Sequence, residues 1–232
     1  MNQVQGALSA LRSGRFILVY DGDGREEETD LTIASEFVTP HAIRTLRKDA
    51  GGLICVTLSG DVRRRVGLPY MVEILRRAAG DFPVLAPISN EDLKYDRHSA
   101  FSVSVNHKDT FTGVTDRDRA LTISRIAALA KEALLRENGW ATHAFSEEFR
   151  APGHVPILNA EEPLLERRRG HTELTTALMI MAGLTPTATI CEMMADDDRA
   201  LSRNDAKRYG REHNLVLLDG EDIVRAWRAW SG

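Results

Sequence analysis

Residues 21–30 read Asp-Gly-Asp-Gly-Arg-Glu-Glu-Glu-Thr-Asp, six acids and one base in ten positions. Carboxylates this crowded repel one another unless a cation neutralises them. Oxygen donors suit a hard divalent ion such as Mg²⁺. The spacing is not that of a calcium-binding loop, and the run also reads as a solvated acidic turn. A second charged run, residues 166–173, reads Glu-Arg-Arg-Arg-Gly-His-Thr-Glu just before an apolar stretch. A helix starting there offers free backbone N–H groups and the positive end of its dipole. With Thr172, the arginines then make a phosphate cradle. His171 is placed either to ligate a metal or to cap that helix. The alternative is a surface basic turn with Thr172 as the N-cap and Glu173 in the first turn.

Four smaller features carry polar chemistry. Glu192 lies inside the apolar run of residues 188–194, where a carboxylate is costly unless paired or functional. His154 follows Pro152-Gly153, in what reads as a turn just before a strand, and near a carboxylate it can serve as acid or base. Residues 109–113, Asp-Thr-Phe-Thr-Gly, offer hydroxyls after a strand; a plain turn is the simpler reading. Cys55 sits in an apolar strand pattern and reads first as a small core residue.

These groups need elements to hold them. Residues 16–20 form a short apolar, partly β-branched run, a buried strand that Gly22 and Gly24 break. Further strands are expected over 31–37, 53–58, 101–105, 155–158, 188–193 and 215–218. Val4, Leu8 and Leu11 mark a first helix. Thr39-Pro40 starts another, running to about residue 50. More helices are expected over 116–136, 171–181 with Gly183 closing it, 202–213 and 221–230. Residues 137–145, with Asn138-Gly139, read as a mobile insertion, and Arg63, Arg64 and Arg65 as a solvated helix face. Interleaved strands and helices favour one layered α/β domain.

The 232 residues are 43% hydrophobic and 28% charged, which excludes wholesale disorder and fibrous repeats. A formal charge of −4 argues against a dedicated nucleic-acid binder. Cys55 and Cys191 are too few for a disulfide scaffold and read as reduced thiols of a cytoplasmic protein. No run is long enough to span a membrane, and no secretion signal is evident. Walker, dinucleotide-binding, paired CxxC and His-Glu-x-x-His motifs are absent.

Taken in order, the segments resemble the 3,4-dihydroxy-2-butanone 4-phosphate synthase family of riboflavin biosynthesis. The matching blocks are residues 20–30, 47–55, 109–113, 152–155, 170–173 and 190–194, worded most like archaeal single-function members. The resemblance implies one α/β domain over residues 1–232, a mixed β-sheet surrounded by helices, with no second catalytic domain. It implies conversion of D-ribulose 5-phosphate to L-3,4-dihydroxy-2-butanone 4-phosphate and formate. It also implies Mg²⁺ or Mn²⁺, two per active site, and a homodimer with sites near the subunit boundary, without nucleic acid or membrane.

Carried over by motif, Glu26 and His171 hold the metal pair beside the substrate. Arg25 and Asp30 contact the sugar, and Arg168, Gly170 and Thr172 the phosphate end. Arg169 and Thr112 join the substrate-binding set. His154 and Glu192 are the acid–base groups, Glu192 also touching substrate, while Asp21, Glu28 and Cys55 line the site. Arg169 stands where many members carry Gly, and residues 137–149 do not match. Two other readings stay open: another metal-dependent sugar-phosphate lyase or isomerase, and a non-catalytic phosphate- or RNA-binding module using residues 63–65 and 167–169.

Overall fold

The computed structural model describes residues 2–89, 93–137 and 139–231. Its strands are β1 (Ile17–Tyr20), β2 (Thr29–Ala34), β3 (Cys55–Leu58), β4 (Phe101–His107), β5 (Phe149–Asn159), β6 (Ala188–Glu192) and β7 (Leu217–Asp219). They pair into one seven-stranded sheet in the order β4-β5-β3-β6-β2-β1-β7. β1 runs parallel to β7 and β3 parallel to β5, while the other neighbours are antiparallel, so the sheet is mixed.

Successive side chains of a strand point to opposite faces, and that alternation sorts the core into two layers. Leu18, Leu31, Ile33, Val56, Ile157 and Cys191 pack on one face. Helices α2 (Pro40–Thr45), α3 (Gly60–Val66), α6 (Asp116–Leu135) and α7 (Trp140–Glu148) cover them. Ile17, Val19, Ala34, Cys55, Ile190 and Leu218 pack on the other. That face is covered by α1 (Asn2–Arg12), α9 (His171–Ala182) and α11 (Gly220–Ser231). The remaining helices are α4 (Met71–Ala78), α5 (Leu85–Ile88), α8 (Leu164–Arg167) and α10 (Arg203–Glu212). The same period of two puts Asp30, in step with Ala34, and Glu192, in step with Ile190, on the α9 face beside Cys55. Register then joins them, for Asp30 pairs with Glu192 and Cys55 with Ile190.

Helix α9 is buried at eleven of its twelve residues. Its hydroxyls are satisfied within the helix: Thr175 and Thr176 each donate to the carbonyl four residues back, at 2.7 Å. Gly183, with φ 68°, closes it as expected. The N-cap is Gly170 and not Thr172, because His171 already has helical pairing.

Several sequence expectations are corrected. Residues 137–145 are not a loose insertion: α7 occupies 140–148 and packs Ala141 into the core, while Asn138 lies outside the described residues. Pro152-Gly153-His154 is not a turn but part of the longer β5, beside a register shift against β4. A Cβ on Gly153 would lie 1.9 Å from the Val105 carbonyl carbon, so only glycine lets the strands meet there. β2 starts at Thr29 and gives way to a 3₁₀ turn over Ser35–Phe37, and β3 starts at Cys55. Of residues 63–65 only Arg64 is the solvated residue expected. Arg65 donates to the Ala133 and Arg136 carbonyls, and Arg63 lies over the Tyr70 ring. Among the described residues no helix is long and apolar enough to cross a membrane.

The Thr39 cap is as expected, its side chain accepting from Ala42 N at 3.2 Å. Thr39→Ala lowers the unfolding free energy by about 1 kcal/mol. A urea titration with an unchanged midpoint would show that this cap does not hold α2.

Candidate active site

The acidic turn joins β1 to β2 and is built around Asp21. Its carboxylate accepts from Glu26 N at 3.0 Å and Glu28 N at 3.2 Å, and the Arg25 guanidinium lies 3.5 Å away. Gly22, Gly24 and Glu27 all have positive φ, which lets the chain fold back on so short a loop. Asp21 thereby organises the turn, and Glu26 and Glu28 are presented by it.

His171 opens α9 directly beneath that turn. Its Nδ1 is 3.2 Å from Glu26 Oε2, while Nε2 is 3.2 Å from the Glu28 carbonyl and 3.7 Å from Asp30 Oδ1. Burial opposes a charge on the ring, but the Asp30, Glu26 and Asp21 carboxylates outweigh it and push His171 up to about 10. Burial pushes Asp30 up to about 8; His171 opposes this, while Glu192, Glu26 and Glu28 add to it. Burial likewise raises Glu28, with Glu26 and Glu192 contributing. Burial would also raise Glu26, yet the His171 hydrogen bond and the Arg168 and Arg25 charges hold it below the usual range.

This crowding fits a cation. Asp21, Glu26 and His171 bring one ligand atom each within 4.8 Å of one another. Asp30 Oδ1 is buried with no hydrogen-bond partner. Carboxylate oxygens with one imidazole are a donor set that a hard divalent ion accepts.

Glu26, Asp30 and His171 lie on one wall of a cavity of about 300 Å³, shared with Cys55, Tyr95, Arg168, Thr172 and Glu192, with Asp21 behind that wall. Glu192 ends β6 half-buried rather than inside the strand, and its Oε2 accepts from Leu53 N at 2.7 Å. Gly52 makes this approach possible, since a Cβ there would sit 2.4 Å from Glu192 Oε2. Burial pushes the Cys55 thiol well up, with Glu192 and Asp30 adding, so it stays neutral. Arg168 donates from Nη1 to Glu173 at 2.7 Å and from Nε to Asp96. Gly170 leaves room for that guanidinium, whose Nη1 would be 2.7 Å from a Cβ.

Asp21, Arg25, Glu28 and Gly170 adjoin the cavity without lining it, Asp21 and Arg25 facing the neighbouring one, and three further residues expected at the site lie elsewhere in this chain. Arg169 is exposed, donates to the Leu165 carbonyl, and faces a neighbouring cavity of about 580 Å³ on the other side of the acidic turn. Thr112 is exposed, its N–H and hydroxyl both directed to Asp118. His154 is exposed and held by Asn106, which accepts from His154 N at 2.8 Å. A Cβ on Gly113 would strike the Asn106 amide, so the 109–113 loop and His154 share one patch. Conversely, no sequence motif pointed to Tyr95 and Asp96. Glu173 was legible only as a first-turn acid, although it is a wholly buried partner of Arg168.

The family model for 3,4-dihydroxy-2-butanone 4-phosphate synthase matches residues 5–226. The chain belongs to this family. It is 47% identical to the 3,4-dihydroxy-2-butanone 4-phosphate synthase of Methanothermobacter thermautotrophicus, over 97% of this chain and 95% of that protein. A solved synthase in a cation-free form superposes with a TM-score of 0.76 at 26% identity, covering 99% of this chain and 98% of that one. Another, in complex with two magnesium ions, gives 0.74 at 27% identity over 96% and 95%. The chain is thus an α/β enzyme of riboflavin biosynthesis.

Synthase activity should be sensitive to the Gly52–Glu192 contact. Gly52→Ala displaces the carboxylate by roughly an ångström, and turnover falls on the order of a hundredfold. Far-UV circular dichroism stays native. Full turnover in a folded variant would mean that Glu192 need not sit where Leu53 N holds it.

Proposed function

We propose that the chain converts D-ribulose 5-phosphate to L-3,4-dihydroxy-2-butanone 4-phosphate and formate. The observation that carries this is the seating of His171 against Glu26 and Asp30, with Glu192 and Arg168 on the same cavity. The reaction enolises a ketose phosphate, loses water, rearranges the carbon skeleton and releases C4 as formate. Substrate and products differ by no net water, so the water lost must be returned before formate leaves. Each step moves a proton beside a carbonyl or enediol oxygen.

Arg168 binds the phosphate end, with Gly170 and Thr172 beside it, and Arg25 and Asp30 contact the sugar. That fixes the reacting carbons in register with Glu192. Leu53 N holds Glu192 by Oε2, leaving Oε1 without a protein partner among the described residues and available to take or return a proton. Asp30, raised by burial, can keep a proton near neutral pH and donate a hydrogen bond to a sugar hydroxyl. The neutral Cys55 thiol lines the cavity wall, and Glu28 stands behind it with its carbonyl against His171. Glu26 and His171, with Asp21 behind them, would hold Mg²⁺ or Mn²⁺, two ions per site, and the metal would supply positive charge to offset charge developing on the sugar.

The site is completed by a second copy of the chain, which supplies Thr112 and His154. Both residues lie off the cavity of their own chain. Beside Thr112, Phe111 is 94% exposed, an apolar ring that an interface would cover. The enzyme works in the cytoplasm on a small substrate, with Cys55 and Cys191 as reduced thiols. Neither nucleic acid nor membrane takes part. Arg63 and Arg65 are engaged within the fold, which weakens the RNA-binding reading. Arg169, outside the cavity, does not touch the phosphate of its own site.

Incubation with ribulose 5-phosphate and Mg²⁺ should release formate stoichiometrically; an aldose product without formate would favour an isomerase. Glu26→Gln and His171→Ala lose metal-dependent turnover by at least about a hundredfold and stay folded. Normal formate release by either variant refutes the metal assignment.

Subunit mixing tests the shared site. Glu192→Gln binds ribulose 5-phosphate without processing it, and His154→Ala is equally inactive. Mixed and allowed to exchange, the two variants recover roughly a quarter of wild-type activity, because each heterodimer holds one intact site. No recovery despite demonstrated exchange places His154 in its own chain's chemistry or outside the reaction.

A further inference from the structure

Residues 93–99 run from beyond α5 to β4 without a recognisable motif, yet they reach the cavity. Tyr95 lines it, within 6.0 Å of the Arg25 guanidinium. Asp96 Oδ2 accepts from Arg168 Nε and lies 3.3 Å from Arg25 Nη2. One carboxylate oxygen therefore sits between two arginines. Its side chain is only 12% exposed, Arg168 9% and Arg25 20%. Among the described residues, no main-chain hydrogen bond ties 94–98 to the body of the protein. Side chains fasten the segment, with Asp96 at its centre and His98 Nε2 2.9 Å from Glu161.

Asp96 is not needed to aim Arg168. Glu173, wholly buried and anchored by Glu161 N at 2.9 Å, already holds Nη1. What Asp96 adds is an anion in the position where two substrate-reading arginines converge. We infer that Asp96 is a competing anion built into the site: its carboxylate occupies the seat on Arg25 and Arg168 in the free enzyme and yields it to the phosphate of the substrate. The inference rests on the phosphate role proposed for Arg168. A phosphate monoester carries close to two charges and three acceptor oxygens, against one charge and one oxygen facing the arginines for Asp96, whose other oxygen accepts from Arg97 N. It can displace the carboxylate, whereas an unphosphorylated sugar offers no charge in exchange. Affinity for every anion is reduced by the fraction of enzyme whose seat is taken.

The test is inorganic phosphate binding by calorimetry, alongside kcat and KM for ribulose 5-phosphate, in wild type and Asp96→Asn. Asparagine keeps the size and an acceptor oxygen and removes the charge. Phosphate binds on the order of tenfold more tightly to the variant, the weight of one charge-assisted hydrogen bond, and KM falls in parallel. Asp96→Ala shifts affinity in the same direction without the amide's own hydrogen bonds. The gain disappears when Arg168→Met is added. A residue that merely propped the arginines would give the opposite sign. Unchanged or weaker phosphate affinity, or a gain that survives loss of Arg168, overturns the inference. Phosphate binding requires no turnover, so a wild type that releases no formate would sink the proposed reaction and leave this measurement intact.

Discussion

Burial of the first turn of α9 brings one imidazole against Glu26, Asp30 and the Glu28 carbonyl where little water is left to screen them. In water such a cluster of charges would weaken to a fraction of its strength. Under the acidic turn it shifts each member away from its ordinary protonation. Asp30 and His171 are both pushed up, toward holding their protons, while Glu26 is held ionised. Carboxylates cannot be desolvated side by side without a compensating positive charge. His171 supplies part of it, and a divalent ion is the chemically suited source of the rest.

That arrangement constrains the surrounding structure. The helix must be buried along its length to hold His171 under the turn, which explains why Thr175 and Thr176 bond back to carbonyls one turn earlier. Strand pairing must place Asp30 beside Glu192, and glycines at 52 and 170 must admit the Glu192 carboxylate and the Arg168 guanidinium. The arginine side of the cavity obeys the same rule with opposite sign. Arg168 is buried, so it requires anions, and Glu173 and Asp96 provide them when no substrate is present. Glu173 is fixed within the fold, whereas Asp96 arrives from a segment held only by side chains. A buried cation with one permanent and one exchangeable anion is suited to receive a charged ligand.

Asn106 gives His154 a defined orientation on the outer part of the sheet, and Gly113 packs against the same amide. An exposed, rigidly oriented histidine beside an almost fully exposed phenylalanine is a costly surface for an isolated chain. The second copy we propose would cover both residues and join His154 to Glu192 at one boundary.

The sequence by itself determined the class of fold, the order of the strands and of six of the helices, and the two opposed charge clusters at 21–30 and 166–173. Those follow from apolar period, turn residues and local charge, all readable over a few neighbouring positions. It also carried Glu26 and His171 as partners, through motif resemblance rather than geometry. Helix α7, the extension of β5 through Gly153 and the Gly170 cap escaped it, because each depends on packing against elements distant in the chain. Only the tertiary structure decided that Asp30, Cys55 and Glu192 share a face with His171. It alone showed that Thr112, His154 and Arg169 lie off that cavity, and that Asp96 sits on Arg25 and Arg168. Local sequence encodes which side chains alternate and where the chain turns. Which charges meet is set by strand register and by burial, and these exist only once distant segments have closed on one another.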